Sequence, residues 1–213
     1  MKLPSKQIEI RIFKSGYDLI IGVDEVGVGS LAGPAVVCAV AMTNNFYNKN
    51  HRKLRRLRDS KLLRAKDREK FAEQLEKEKD FTFVIASASN KEIDKLNIYQ
   101  ATRKAMRKAV GRLESNFPLR KMVLVDGKTK IKGLEIEQTA IIKGDKKVFA
   151  IACASIIAKV FRDKLMIKYA NKFPDYGFEK HKGYGTKYHQ GQLTKFGPCA
   201  IHRRSFAPVA KLI

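Results

Sequence analysis

YDLIIGVDEVGVGSLAGPAVVCAVAM, residues Tyr17–Met42, sets two apolar runs on either side of a glycine-rich turn. Tyr17–Val23 reads as a buried strand and Ala35–Met42 as a second, because short apolar runs rich in β-branched residues and bounded by Gly and Pro suit a sheet interior. Asp24 and Glu25 follow the first run directly. A carboxylate against a core strand is costly if desolvated without a partner. The doublet therefore calls for a reason.

Working outward, Phe81–Ala88, Met122–Val125 and Ile136–Ile142 read as further strands. Helical spacing marks Lys61–Lys79, Lys91–Phe117 and Val148–Phe173, with Asp59 or Ser60 available to cap the first. After Pro174 the pattern breaks into short pieces rich in Gly, Tyr and His. The order predicts an α/β fold in which helices flank a mixed β-sheet. Residues 1–173 form that domain, and 174–213 form a small helical or irregular C-terminal appendage of the same compact unit.

Other acids repeat the first placement. Asp126 follows the apolar MVLV, and Asp145 follows IIKG just before the longest helix. Ends of strands in α/β sheets are where sites form. If Asp24, Glu25, Asp126 and Asp145 converge, their four negative charges match two divalent cations, and an all-oxygen donor set selects Mg²⁺ or Mn²⁺. Two such ions suit in-line displacement at phosphorus. Scattered structural ion pairs are the other reading of the same spacing.

The 213 residues carry 44 Lys and Arg against 21 Asp and Glu, a formal charge of +23. Such an excess opposes compaction and favours a polyanionic partner, with nucleic acid ahead of an anionic membrane surface; a lysine-rich proteome is the bland alternative. With 44% hydrophobic residues the chain has material for a core and is no disordered basic tail. Leu31–Met42 is broken by Gly33 and Pro34, and the N-terminus lacks the apolar core of a signal peptide, so neither membrane insertion nor secretion is expected. Cys38, Cys153 and Cys199 lie far apart without metal-ligand spacing, which fits a reducing compartment. A cytoplasmic monomer is expected.

GVDEVGVGSLAGP (Gly22–Pro34) resembles the first motif of the ribonuclease HII family. The likeness continues through DSKLL (Asp59–Leu63), EIDKLNIYQAT (Glu92–Thr102), VDG (Val125–Gly127), KGD (Lys143–Asp145), AIACASIIAKVFRDKLM (Ala150–Met166), YGFEKHKGYGT (Tyr176–Thr186) and HRRSF (His202–Phe206). It implies an RNase H-like fold and a metal-dependent endonuclease that hydrolyses the RNA strand of RNA–DNA hybrids, leaving 5′-phosphate and 3′-hydroxyl ends. The implied setting is removal of ribonucleotides from DNA. Asp24, Glu25, Asp126 and Asp145 fall on the family's acidic tetrad, which holds two divalent ions. Gly27, Val28 and Gly29 stand where the family contacts 2′-hydroxyl groups near an RNA–DNA junction, and Tyr184 matches a tyrosine that stacks on the junction sugar. The likeness also implies phosphate contacts by Lys61 and Lys143, with Asn97 and Ser155 as neutral partners of the nucleic-acid backbone.

The family's arginine between two glycines is Val28 here, and a following proline is Ser30. Valine lacks the charged phosphate contact of arginine, and a β-branched residue is poorly suited to unusual turn angles. Weaker cutting at a single embedded ribonucleotide is expected, with longer hybrids still cleaved. Ribonuclease HIII also lacks the arginine but carries an extra N-terminal domain, for which the residues before Asp24 are too few. A non-catalytic hybrid- or RNA-binding protein is the alternative function. Arg162 and Asp163 are expected to pair, His202, Arg203 and Arg204 to dock the tail, and His181 and His189 to have no catalytic role.

Overall fold

A computed structural model describes residues 7–51, 63–115 and 117–213. The runs around the glycine-rich turn form β1 (Leu19–Val26) and β2 (Ala35–Thr43), paired antiparallel with Asp24 opposite Cys38. β3 (Phe81–Ala88), β4 (Lys121–Asp126) and β5 (Gln138–Ile141) complete a sheet ordered β3-β2-β1-β4-β5. β3 joins β2 antiparallel, whereas β4 and β5 run parallel to β1. β1 continues three residues past the predicted end at Val23, so Asp24 and Glu25 lie within the strand.

The helices are α1 (Gln7–Lys14), α2 (Asn44–Asn50), α3 (Ala65–Glu76), α4 (Asn90–Leu96), α5 (Ile98–Glu114), α6 (Gly144–Lys147) and α7 (Phe149–Lys172). A 3-10 turn (Pro174–Tyr176) leads to α8 (Phe178–His181), α9 (Lys187–Phe196) and α10 (Ala207–Ala210). Successive strand residues face opposite sides, and β1 serves two cores accordingly. Ile20 joins the layer under α7, while Leu19, Ile21 and Val23 join the layer under α5. The same alternation puts Gly22 and Asp24 toward α7.

The single helix expected over Lys91–Phe117 is divided. Ser89 and Glu92 form a capping box that starts α4, and Asn97, at φ 64°, ends it. The Asn97 side chain then accepts the Gln100 N–H (3.0 Å), so one residue stops one helix and starts the next. The N-terminal stretch, to which patterning assigns no element, forms α1. Its Ile8, Ile12 and Phe13 pack on the α7 layer.

Glu9 fixes α1 to the core. Its Oε1 accepts the Phe149 N–H (2.6 Å) and thereby caps α7, whose own preceding residue, Val148, offers no side-chain cap. The Glu9 Oε2 is buried with no hydrogen-bond partner among the described residues. Burial raises this carboxyl from 4.5 to about 7, outweighing the amide hydrogen bonds that pull the other way. Between those values the folded chain keeps a proton that the unfolded chain has released. Stability therefore falls as pH rises from 4.5 to about 7, by roughly 3 kcal/mol over the window. Thermal melts of Glu9→Gln should lack that part of the slope; an unchanged slope would refute the assignment.

The tail packs on the C-terminal half of α7 through Tyr176, Phe178 and Ile201. Its histidines form a neutral chain. His189 Nδ1 faces the Tyr184 carbonyl (2.9 Å) and so carries the proton, leaving Nε2 to accept from His202 Nε2 (3.0 Å). His202 Nδ1 in turn accepts the Cys199 N–H (2.9 Å). Burial holds both rings near pKa 4; His181 lowers both further, and His189 also lowers His202. These rings fix the backbone at Tyr184. No helix among the described residues is long and apolar enough to cross a membrane.

Candidate active site

Parallel strands β1 and β4 lie side by side, with Asp126 at the end of β4 level with Asp24, and a crevice opens at their carboxyl ends. Asp24 and Glu25 come from β1, Asp126 is the last residue of β4, and Asp145 lies in the short α6 that precedes α7. All four line one cavity of about 480 Å³, walled also by residues 26–29, Ser155, Lys159 and Tyr184.

Each acid is set by local backbone. Asp24 Oδ1 accepts the Glu25 N–H (2.8 Å), and its carboxylate takes a further hydrogen bond from Ser155 on α7. Asp126 Oδ1 accepts the Gly144 N–H (2.6 Å), tying the end of β4 to the turn that bears Asp145. That turn begins with Lys143 in the left-handed region (φ 56°), and a Cβ on Gly144 would meet Ile151 Cδ1 at 2.5 Å. Burial first, then repulsion from Glu25 and Asp126, holds the Asp24 carboxyl well above the ordinary carboxylate range. Glu25 and Asp126 are thus close enough to oppose the ionisation of Asp24.

A divalent cation would relieve that repulsion, and the donors suit a hard one, being carboxylates without His or Cys. Among the described residues no three His, Cys, Asp or Glu side chains already form a closed metal cage. A closed cage is not required: Mg²⁺ keeps several waters and binds through one or two carboxylates plus substrate phosphate oxygens. The residues present fit such an ion.

The structure gathers most of the expected binding residues: Gly27, Val28, Gly29, Ser155 and Tyr184 share the cavity with the acids. Asn97 and Lys143 do not line it. Asn97 caps α5, and Lys143 is exposed on the turn before α6. Lys61 lies outside the described residues. Lys159 escaped the sequence reading although it follows Ser155 by four positions, which places both on one helical face. Its Nζ reaches Asp163 (2.7 Å), and it stands 6.0 Å from the Tyr184 ring centre.

The turn differs from expectation in two respects. Gly27 (φ 87°) is required by the protein itself, since a Cβ there would lie 2.1 Å from Arg162 Nε. Val28 avoids the left-handed region, so its branched side chain is accommodated, 37% exposed at the cavity mouth. Only Gly29 faces open space, with nothing within 4 Å of a Cβ. The expected Arg162–Asp163 pair does not form either. Asp163 binds Lys159 and Arg68 (3.5 Å), while Arg162 donates to main-chain carbonyls. His202 and Arg203 are buried in the docked tail.

The family model described as Ribonuclease HII matches residues 21–209. Ribonuclease HII of Caldicellulosiruptor saccharolyticus is 46% identical over 200 residues, covering 94% of this chain and 92% of that one. Ribonuclease HII of Acholeplasma laidlawii is 41% identical over 213 residues, covering 100% and 99%. Among solved structures, RNase HII in the Archaeoglobus fulgidus PCNA:RNase HII complex superposes with TM-score 0.71 at 26% identity, over 87% of this chain and 92% of that one. Ribonuclease H2 from Pyrococcus horikoshii gives TM-score 0.70 at 26% identity, over 91% and 96%. A family match spanning nearly the whole chain, on a sheet that brings the four acids to one cavity, makes this chain a ribonuclease H enzyme of the ribonuclease HII family.

Proposed function

We propose that the enzyme cuts the RNA strand of RNA–DNA hybrids, and ribonucleotides within duplex DNA, by metal-dependent hydrolysis that leaves 5′-phosphate and 3′-hydroxyl ends. The observation that carries this reading is the convergence of Asp24, Glu25, Asp126 and Asp145 on one cavity with Lys159, Tyr184 and the glycine-rich turn on its walls. The four acids would hold two Mg²⁺ or Mn²⁺ ions, which when bound activate the attacking water and neutralise charge at the leaving 3′ oxygen. Ser155 keeps the Asp24 carboxylate oriented, and the Gly144 N–H does the same for Asp126. Lys159 offers a positive charge at the cavity wall for a phosphate. Tyr184, supplied by the tail, presents an aromatic face to the sugar, while the turn at residues 27–29 brings main chain close enough to read a 2′-hydroxyl. The tail thus belongs functionally to the substrate site.

Cleavage mapping on duplexes carrying one, four or many ribonucleotides, with Mg²⁺, Mn²⁺ or EDTA, tests the reading. Metal-dependent 5′-phosphate products from the RNA strand support it; retention of the hybrid without product would leave a binding protein instead. Val28 adds a specific expectation. Its exposed position at the mouth lets a longer side chain reach a phosphate, and a charge-assisted hydrogen bond contributes about 1.5–3 kcal/mol. Val28→Arg should raise cleavage at a lone ribonucleotide about tenfold more than on an all-RNA strand. Equal changes on the two substrates would count against it.

A further inference from the structure

Arg162 and Arg203 are the two largest fully buried side chains among the described residues, and neither forms an ion pair there. A buried guanidinium without a carboxylate is costly, so the groups that satisfy it are informative. Every hydrogen bond goes to main-chain carbonyls. Arg203 donates to Gly27 (2.6 Å), Val28 (2.7 Å) and Gly33 (3.0 Å). Arg162 donates to Pro34 (3.0 Å), Ala32 (3.2 Å) and Lys182 (2.9 Å). Two buried cations thus support the glycine-rich turn from behind.

The peptide unit is planar and trans, so the N–H after a carbonyl points opposite to it. Drawing the Gly27 and Val28 oxygens inward onto Arg203 turns the N–H groups of Val28 and Gly29 outward, and residues 27–29 line the cavity. Further along the turn, the N–H groups of Ser30, Leu31, Ala32 and Gly33 are all spent on carbonyls. Those of Val28 and Gly29 meet no acceptor among the described residues. Consecutive outward N–H groups make a concavity for an electron-rich oxygen. The open space at Gly29 lets such an oxygen approach.

We propose that Arg203 is a positioning residue that discriminates ribose from deoxyribose by aiming the Val28 and Gly29 N–H groups at the 2′-hydroxyl oxygen of the nucleotide being cut. This rests on the function proposed above. With Val28 in the turn, which lacks a charged side chain, main-chain donors carry the recognition, and their direction depends on a residue 175 positions away.

The test compares affinities, in the Asp126→Asn background to suppress cleavage, for a duplex with one ribonucleotide and the matching all-DNA duplex. Arg203→Met and Arg203→Lys should each weaken binding of the ribonucleotide duplex at least tenfold more than that of the all-DNA duplex. Lysine should not rescue, because one ammonium cannot span three carbonyls in a fixed fork. Equal losses on both duplexes, or rescue by lysine, would overturn the proposal and leave Arg203 a merely structural or charge-bearing residue. Should both variants fail to fold, amide NMR of the chain with Arg203 intact decides. The Val28 and Gly29 resonances should shift with the ribonucleotide duplex and not with DNA; unmoved resonances would overturn it. Hybrid cleavage by the unaltered chain tests the underlying function separately.

Discussion

Asp24→Asn should lower hybrid cleavage about a thousandfold, roughly 4 kcal/mol of transition-state stabilisation, and yet raise the melting temperature measured in EDTA. Asp24 is buried on the α7 face of β1, where burial and the neighbouring carboxylates of Glu25 and Asp126 oppose its ionisation. Without a cation the folded chain bears that repulsion, and the unfolded chain does not. The isosteric amide keeps an oxygen for the Glu25 N–H while removing the charge. A gain of about 1 kcal/mol, or 2–4 °C for a domain of this size, is the expected scale. The same change removes a hard anionic donor from the metal site, where the cation contributes several kcal/mol of charge stabilisation. Cleavage assays in Mg²⁺ with parallel melts in EDTA separate the two effects. Activity within tenfold of the parent would remove Asp24 from the metal-binding set.

The second large effect belongs to Gly22, two residues before that carboxylate. A Cβ there would lie 2.4 Å from the Ala150 carbonyl carbon and 2.5 Å from its oxygen. These are backbone atoms in the first turn of α7, which Glu9 anchors through Phe149, so no side chain can swing aside. Gly22→Ala should destabilise the fold by about 3 kcal/mol, lowering the melting temperature by roughly 6–12 °C. Because β1 carries Asp24 and α7 carries Ser155, prising them apart also loosens the site. Metal affinity in the remaining folded protein should fall with stability. A melt within 2 °C of the parent would show that the helix can yield.

Much of the framework is local in origin and was legible. The runs around residues 17–42 are short, apolar and bounded by Gly and Pro, which suits strands buried on both faces. Phe81–Ala88 emerges with the predicted bounds. Where local signals compete, the reading fails. Lys91–Phe117 has continuous helical spacing, but Asn97 adopts φ 64° and its side chain caps α5, so two helices replace one. Arg162 sits beside Asp163 in sequence, yet adjacent residues on a helix point in different directions; one turns inward to carbonyls, the other to Lys159 and Arg68.

By itself the sequence determined the strands and main helices, the identity of the four acids that follow apolar runs, the basic character and, through its ordered motifs, the family. These arise from side-chain period, turn chemistry and composition, which act over a few residues. Only the tertiary structure decided that Asp145 joins Asp24, Glu25 and Asp126 at one cavity, that Lys159 stands beside them while Asn97 and Lys143 do not, and that Arg203 holds the turn at residues 27–29. Those relations depend on how parallel strands and a returning tail pack together, and packing links residues whose separation along the chain leaves no periodic trace.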